Sequence, residues 1–130
     1  MNSGEPVLAG ARRAASRAHC PYSNFHVGAA VICEDGTVVE GCNVENASFG
    51  LSVCAERVAL FAAIGQGKRP VALGVSCRDA LEDSPVASRM PCGACRQVML
   101  ELLPADAEIH IDGVGVRRLE QLLPCGFELG

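Results

Sequence analysis

From Val53 to Ile64 the chain places apolar residues on every side of a helix: Val53, Ala55, Val58, Ala59, Leu60, Phe61, Ala62, Ala63 and Ile64. A helix that is apolar all round belongs inside a fold. Two charges interrupt it, Glu56 and Arg57. An unpartnered buried charge is costly, so each needs a partner and each becomes a candidate for function.

The rest of the chain supplies what that helix packs against. Residues 5–18 carry a loose helical stripe of Val7, Leu8, Ala11, Ala14, Ala15 and Ala18, stopped by Pro21. Phe25 to Cys33 and Thr37 to Asn43 predict two strands around the turn Glu34-Asp35-Gly36, a β-hairpin. A loop of polar and small residues runs from Asn43 to Leu51. Ser52 is placed to cap the apolar helix, and Gly65 and Gly67 to end it. Val71 to Cys77 predicts a third strand, 78–90 a polar loop, and Pro91 the opening of a helix to Leu103. Ala107 to Asp112 predicts a fourth strand, followed by a short helix over Arg117–Leu123 or a strand edge near Val114–Val116. No repeat or linker interrupts the sequence, so the expectation is one domain over residues 1–130. The order of elements predicts an α/β fold, a three-layer α/β/α sandwich with a mixed sheet.

A net charge of −4, one Tyr, no Trp and four Phe work against a polynucleotide partner, which needs a basic surface and stacking aromatics. A small-molecule ligand is expected, with no nucleic-acid partner. No apolar run approaches the ~20 residues of a spanning helix, so no membrane partner is expected. Eight cysteines in a short exported chain would read as a disulfide framework. The first twenty residues lack the charged-then-apolar order of a signal peptide, and the cysteines fall inside predicted strands and helices. A reducing cytoplasm is the expected compartment. Cys33, Cys42 and Cys77 lie in apolar strand runs and read as small buried hydrophobes, while Cys20 and Cys125 carry no assigned role.

Cys54, Cys92 and Cys95 stand apart. Cys54 falls in the first turn of one predicted helix and Cys92 in the first turn of another, with Cys95 three residues on and on the same face. Helix starts favour thiolate, and so metal ligation. Three thiolates leave a fourth position of a zinc ion open, as activation of water requires. Three thiolates and Zn²⁺ also sum to one net negative charge, which opposes ionising a water there. Arg57, three residues after Cys54, and Arg96, beside Cys95, are placed to offset it. Glu56 is two residues from Cys54, so it points elsewhere around the helix and is placed to hold a proton rather than the metal.

Several segments together resemble the cytidine deaminase family of small homotetrameric type. They are Y-S-N-F-H-V-G-A-A (22–30), N-V-E-N-A-S (43–48), C-A-E-R (54–57), P-C-G-A-C-R-Q (91–97) and L-L-P-C-G-F (122–127), spread in order over most of the chain. The resemblance implies that Cys54, Cys92 and Cys95 bind catalytic zinc and that Glu56 carries protons. It moves one from the attacking water to N3 of cytosine, then one to the departing ammonia, with attack at C4. It implies that Arg57 hydrogen-bonds the ligand sulfurs, that Phe25 stacks on the pyrimidine, and that Asn43 and Glu45 hold the ribose hydroxyls. Phe127 resembles the aromatic that closes a neighbouring subunit's pocket. The implied activity is deamination of cytidine and 2'-deoxycytidine in pyrimidine salvage, by a homotetramer acting on a small pyrimidine nucleoside. Phe49 stands where many relatives have Tyr, and Met90 with the 78–90 loop is individual to this chain.

Other readings stay open on sequence alone. Deaminases of aminopyrimidine nucleoside antibiotics share C-x-E and P-C-x-x-C-R-Q, although N-V-E-N-A-S favours a ribonucleoside. Cys92 and Cys95 alone fit a dithiol redox pair, which leaves Cys54 unexplained. A silent zinc-stabilised binding module has no use for Glu56. Phe25 has a plain alternative as a core residue, and Asn43 and Glu45 as loop formers.

Overall fold

A computed structural model describes residues 3–130. Its sheet has five strands in the order β2-β1-β3-β4-β5. In chain order these are β1 (Val27–Cys33), β2 (Val38–Cys42), β3 (Pro70–Cys77), β4 (Glu108–Ile111) and β5 (Gly115–Arg118). The hairpin β1–β2 is antiparallel, as is β1–β3; β3–β4 is parallel and β4–β5 antiparallel. The parallel pair needs a crossover, and a helix provides it.

Alternation along the strands feeds two cores. Ala30, Ile32 and Ala72 meet Val7 of α1 (Gly4–Ala15) on one face. Ala29, Val31, Leu73, Val75, Ile109 and Ile111 meet α2 (Ala55–Gly65) and α3 (Gly93–Leu102) on the other, joined there by Leu119 and Leu122 of α4 (Leu119–Leu122). The expected three-layer α/β/α sandwich with a mixed sheet is therefore the fold. Strand β1, flanked by β2 and β3, is buried on both sides, which is why it reads as an unbroken apolar run.

Two glycines set how closely the helices lie. A Cβ at Gly28 would run into the Ala11 carbonyl of α1. One at Gly41 would sit 2.9 Å from the Ala55 carbonyl and against the Ala59 backbone, so α2 rests its first turns directly on β2.

Boundaries differ from the sequence reading where tertiary bonds intervene. The first helix ends at Ala15 rather than residue 18. His19 is drawn off into a parallel bridge with Val44, accepting from Glu45 N and donating to the Asn43 carbonyl. Ser52 does not cap α2: its hydroxyl accepts from Asn46 N, and Val53 is held extended by a two-way bridge to Val44. The cap position falls to Cys54. Likewise α3 starts after Cys92, with Pro91 one residue outside. The 78–90 loop contains a 3-10 turn, Val86–Arg89. After β4 the chain forms both of the expected alternatives, β5 and then α4.

Helix α2 is not buried all round. Ala55, Glu56, Ala59, Leu60 and Ala63 are buried, but Phe61 is 51% and Ile64 45% exposed.

Candidate active site and metal centre

One edge of the sheet collects the site. The antiparallel pairing of β1 with β2 and β3 brings the start of β1 beside the ends of the other two, and β4, parallel to β3, ends there as well. Ligand sites of α/β sheets lie at such carboxyl edges. Along this edge the order is Asn43 after β2, Phe25 and Val27 at β1, Cys77 at β3 and Asp112 after β4. Helices α2 and α3 begin above it.

Cys54 and Cys92 are the N-cap residues of α2 and α3, both in extended backbone conformation, and Cys95 sits in the first turn of α3. Two helix starts thus aim their positive ends at one cluster of sulfurs. Cys54 Sγ lies 3.8 Å from Cys92 Sγ, Cys92 Sγ 3.4 Å from Cys95 Sγ, and all three lie within 4.8 Å of one another. A tetrahedral zinc with sulfur bonds of ~2.3 Å spaces its ligands by ~3.8 Å. The donor set is soft and compact, and it fits that ion. Cys95 is fully buried, while Cys54 and Cys92 line a cavity, so an ion held by these sulfurs would be within reach of a small molecule there.

Without a metal the three thiols share their protons unevenly. The Cys95 thiol donates to Cys54, and this bond, aided by the Arg57 guanidinium, draws the Cys54 thiol down to about 5. Cys95, holding the proton for Cys54 and buried, is pushed up. Arg57 Nη2 donates to Cys54 Sγ at 3.5 Å, and its Nε is buried without a partner. Arg96 is engaged elsewhere. Its Nε donates to the Pro91 carbonyl and its Nη1 to the Leu122 carbonyl, bracing the start of α3 against α4.

Glu56 is 4% exposed and lines the same cavity as Cys54 and Cys92. Burial pushes its carboxyl up to about 7, opposed by a hydrogen bond from its own backbone N–H. The cavity holds about 200 Å³ and is completed by Phe25, Val27, Asn43, Ala55, Val75, Cys77, Ser88, Arg89 and Met90. Phe25 is set by a turn in which Asn24 takes a left-handed conformation (φ 57°) and the Ser23 hydroxyl accepts from Phe25 N. Asn43 Oδ1 accepts from Val27 N at 2.9 Å and Nδ2 donates to the Phe25 carbonyl at 2.9 Å, tying the two walls together.

Two expected residues lie outside this cavity. Glu45 accepts from the backbone N–H groups of Tyr22 and Ser23 and from the Ser23 hydroxyl, and it lines a separate shallow cleft with Phe49 and Ser52. Phe127 is 68% exposed, and its carbonyl accepts from Gln97 Nε2. In the other direction, Cys77 is not the buried hydrophobe expected. It is partly exposed on the cavity wall, its thiol pushed up to about 11 by desolvation. Strand parity carried the signal, since Cys77 shares a face with Val75 at the carboxyl edge. Cys42 is partly exposed, with Sγ near the Arg17 carbonyl, while Cys33 is buried as expected.

A family model for the cytidine and deoxycytidylate deaminase zinc-binding region matches residues 1–110. The chain belongs to this deaminase family. Within it, the cytidine deaminase of Halalkalibacterium halodurans is 48% identical over 114 residues, covering 85% of this chain and 83% of that protein. The crystal structure of cytidine deaminase from Mycobacterium tuberculosis has 41% identity and a TM-score of 0.85, covering 99% of this chain and 100% of that one. That of Burkholderia pseudomallei has 42% identity and a TM-score of 0.83, covering 98% and 100%. The family's zinc-binding region and the three-thiol cluster together make zinc the cofactor of this deaminase.

Proposed function

We propose that the protein deaminates cytidine and 2'-deoxycytidine by hydrolysis at C4, giving uridine or deoxyuridine and ammonia in pyrimidine salvage. One observation carries the reading. The Glu56 carboxyl, the only carboxyl on the cavity wall among the described residues, shares that wall with two of three thiols spaced for zinc. Zinc, when bound by Cys54, Cys92 and Cys95, supplies the Lewis acidity that makes water a nucleophile near neutral pH.

The chain's own residues do the rest. Glu56 takes a proton from the attacking water and passes it to N3 of the base, then takes the remaining proton from the hydroxyl added at C4 and delivers it to the departing amine. A carboxyl poised between its two states suits both transfers. Arg57 and the two helix starts offset the negative charge of the thiolates. Phe25 stacks on the pyrimidine. Asn43 spends one amide hydrogen on the Phe25 carbonyl and keeps a second for a ribose hydroxyl. Glu45, in the separate cleft, keeps free lone pairs beyond its three bonds to the 22–23 turn and takes a ribose hydroxyl that extends out of the cavity.

A homotetramer completes the pocket in this proposal. The cavity of about 200 Å³ is below the ~300–1,000 Å³ of ordinary ligand sites. Phe61, Ile64, Phe49 and Phe127 expose apolar rings and chains that a second copy can cover, with Phe127 closing a neighbour's pocket. Among the described residues no helix is long and apolar enough to cross a membrane. The cysteines are all free thiols, as ligation requires and a reducing cytoplasm maintains. Both faces of one sheet are covered by helices drawn from the whole chain, which supports one domain over residues 1–130.

The test follows the ultraviolet absorbance of cytidine in the presence of the protein, with metal analysis on the same sample. Turnover with about one zinc per chain, lost on chelation and restored by zinc, is the expected result. A zinc-free protein with a reversible Cys92–Cys95 disulfide and no turnover would sink the proposal.

A further inference from the structure

A second cleft of about 450 Å³ adjoins the zinc cavity, and Cys77 and Arg89 line both. Its other charged walls are Arg12, Arg78 and Asp112. Three guanidinium groups against one carboxylate leave an excess of two positive charges, in a chain whose net charge is −4. The single carboxylate is already engaged. Asp112 accepts from Arg12 Nη2 at 2.7 Å and Nε at 3.0 Å, and from the Ser76 hydroxyl at 2.8 Å.

Arg89 lines this cleft near Asp112, whose carboxylate feels its charge, but makes no salt bridge to it. Its Nη2 donates to the Leu81 carbonyl at 2.6 Å, and its Nε is buried with no partner. Its Nη1 lies against Gly113, where any Cβ would collide with it. Gly113 also has φ of +82°, so both backbone and space there favour glycine. Arg78 is exposed and has no carboxylate at salt-bridge distance among the described residues. Positive groups lining one concave surface focus their field on an anion.

We infer that this cleft is an annex of the substrate cavity that takes an oxyanion, a carboxylate or a phosphate, with Arg89 and Arg78 as its donors. The placement of substrate rests on the nucleoside reading above. Asn43, assigned to the ribose, follows β2, whereas the annex opens beyond β3 on the other side of the zinc cavity. Hence it faces the end of the base away from the sugar. Of the ring positions next to the reacting C4, N3 is needed for the proton, which leaves C5. A carboxylate carried on C5 is the substrate-borne occupant, and a free phosphate is the other source of the same chemistry.

The experiment uses the zinc-loaded full chain, its Arg78→Ala variant and its Arg89→Met variant. It compares kcat/KM for cytidine with that for cytidine bearing a C5 carboxylate, and titrates inorganic phosphate by calorimetry at constant ionic strength. For a substrate-borne anion, each variant loses about 10-fold or more on the carboxylated nucleoside relative to its own value on cytidine, the scale of one charge-assisted hydrogen bond. For a free anion, phosphate binds the parent protein, raises the KM for cytidine, and binds each variant about 10-fold or more weakly. If neither the nucleoside ratio nor phosphate binding distinguishes the parent from Arg78→Ala, whose side chain makes no hydrogen bond that folding would miss, the annex is refuted. Normal cytidine turnover with no anion effect refutes the annex alone. Phosphate binding without cytidine turnover instead refutes the deaminase reading and leaves the annex standing.

Discussion

Arg57 Nη2 stands 3.5 Å from Cys54 Sγ, one turn further along the helix that Cys54 caps. The guanidinium therefore reaches back to the sulfur cluster from inside α2. That sulfur, first among its neighbours, makes Arg57 hold its proton more tightly, and the sulfur's own pKa is lowered in turn. This reciprocal pairing answers why a mostly apolar helix keeps a cation beside its acid.

Replacing Arg57 by Gln removes the charge and keeps a donor. A partner in contact with a metal ligand typically contributes about 10- to 100-fold in metal affinity or activity. We expect Arg57→Gln to fold, to release zinc more readily to a chelator, and to lose turnover on that scale. A chelator competition assay checks it. Unchanged zinc retention and turnover would remove Arg57 from the charge balance.

Phe25 is held by Asn43 and Ser23 at the cavity wall rather than inside either core. Stacking on a base contributes ~1–3 kcal/mol. Phe25→Ala should raise the KM for cytidine on the order of 10-fold while zinc content and melting temperature stay near those of the parent. A lower melting temperature with unchanged KM would return Phe25 to a packing role.

Asp112 joins α1, through Arg12, to the end of β3, through Ser76. Its carboxyl is held below the usual range, chiefly by the Arg12 hydrogen bond. A depressed carboxylate pKa adds stability above the unfolded-state value of ~3.9, and that stability is lost as pH falls through the folded value. Asp112→Asn should therefore be less stable than the parent at pH 7, and the gap should narrow below about pH 4. Urea unfolding of both proteins across that range reads the difference. A gap that does not change with pH would assign the loss to packing.

Much of this architecture is legible in the sequence because local rules agree with the fold. The hairpin around Gly36, the apolar run of β1 and the two thiols at helix starts are set by short-range chemistry. Departures arise where distant contacts decide. Ser52 has the right composition for a cap, but Asn46 takes its hydroxyl and the Val44–Val53 bridge delays the helix to Cys54. Phe61 and Ile64 read as core because their apolarity does not say which face of α2 the sheet covers. Glu45 sits only two residues from Asn43, yet it turns to the 22–23 backbone and leaves the zinc cavity to Asn43. Cys77 shares strand parity with Val75, but Arg89 was not legible as a site residue, because its place on the cavity wall exists only once the 78–90 loop folds back onto the end of β3.

The central claim is that Glu56 moves protons beside a zinc it does not bind. The most direct measurement is cytidine turnover and zinc content of Glu56→Ala. General acid–base catalysis contributes about 10²- to 10⁴-fold. We predict zinc content and fold equal to the parent, with turnover reduced on that scale. Near-normal turnover in Glu56→Ala, with zinc bound, would contradict the account.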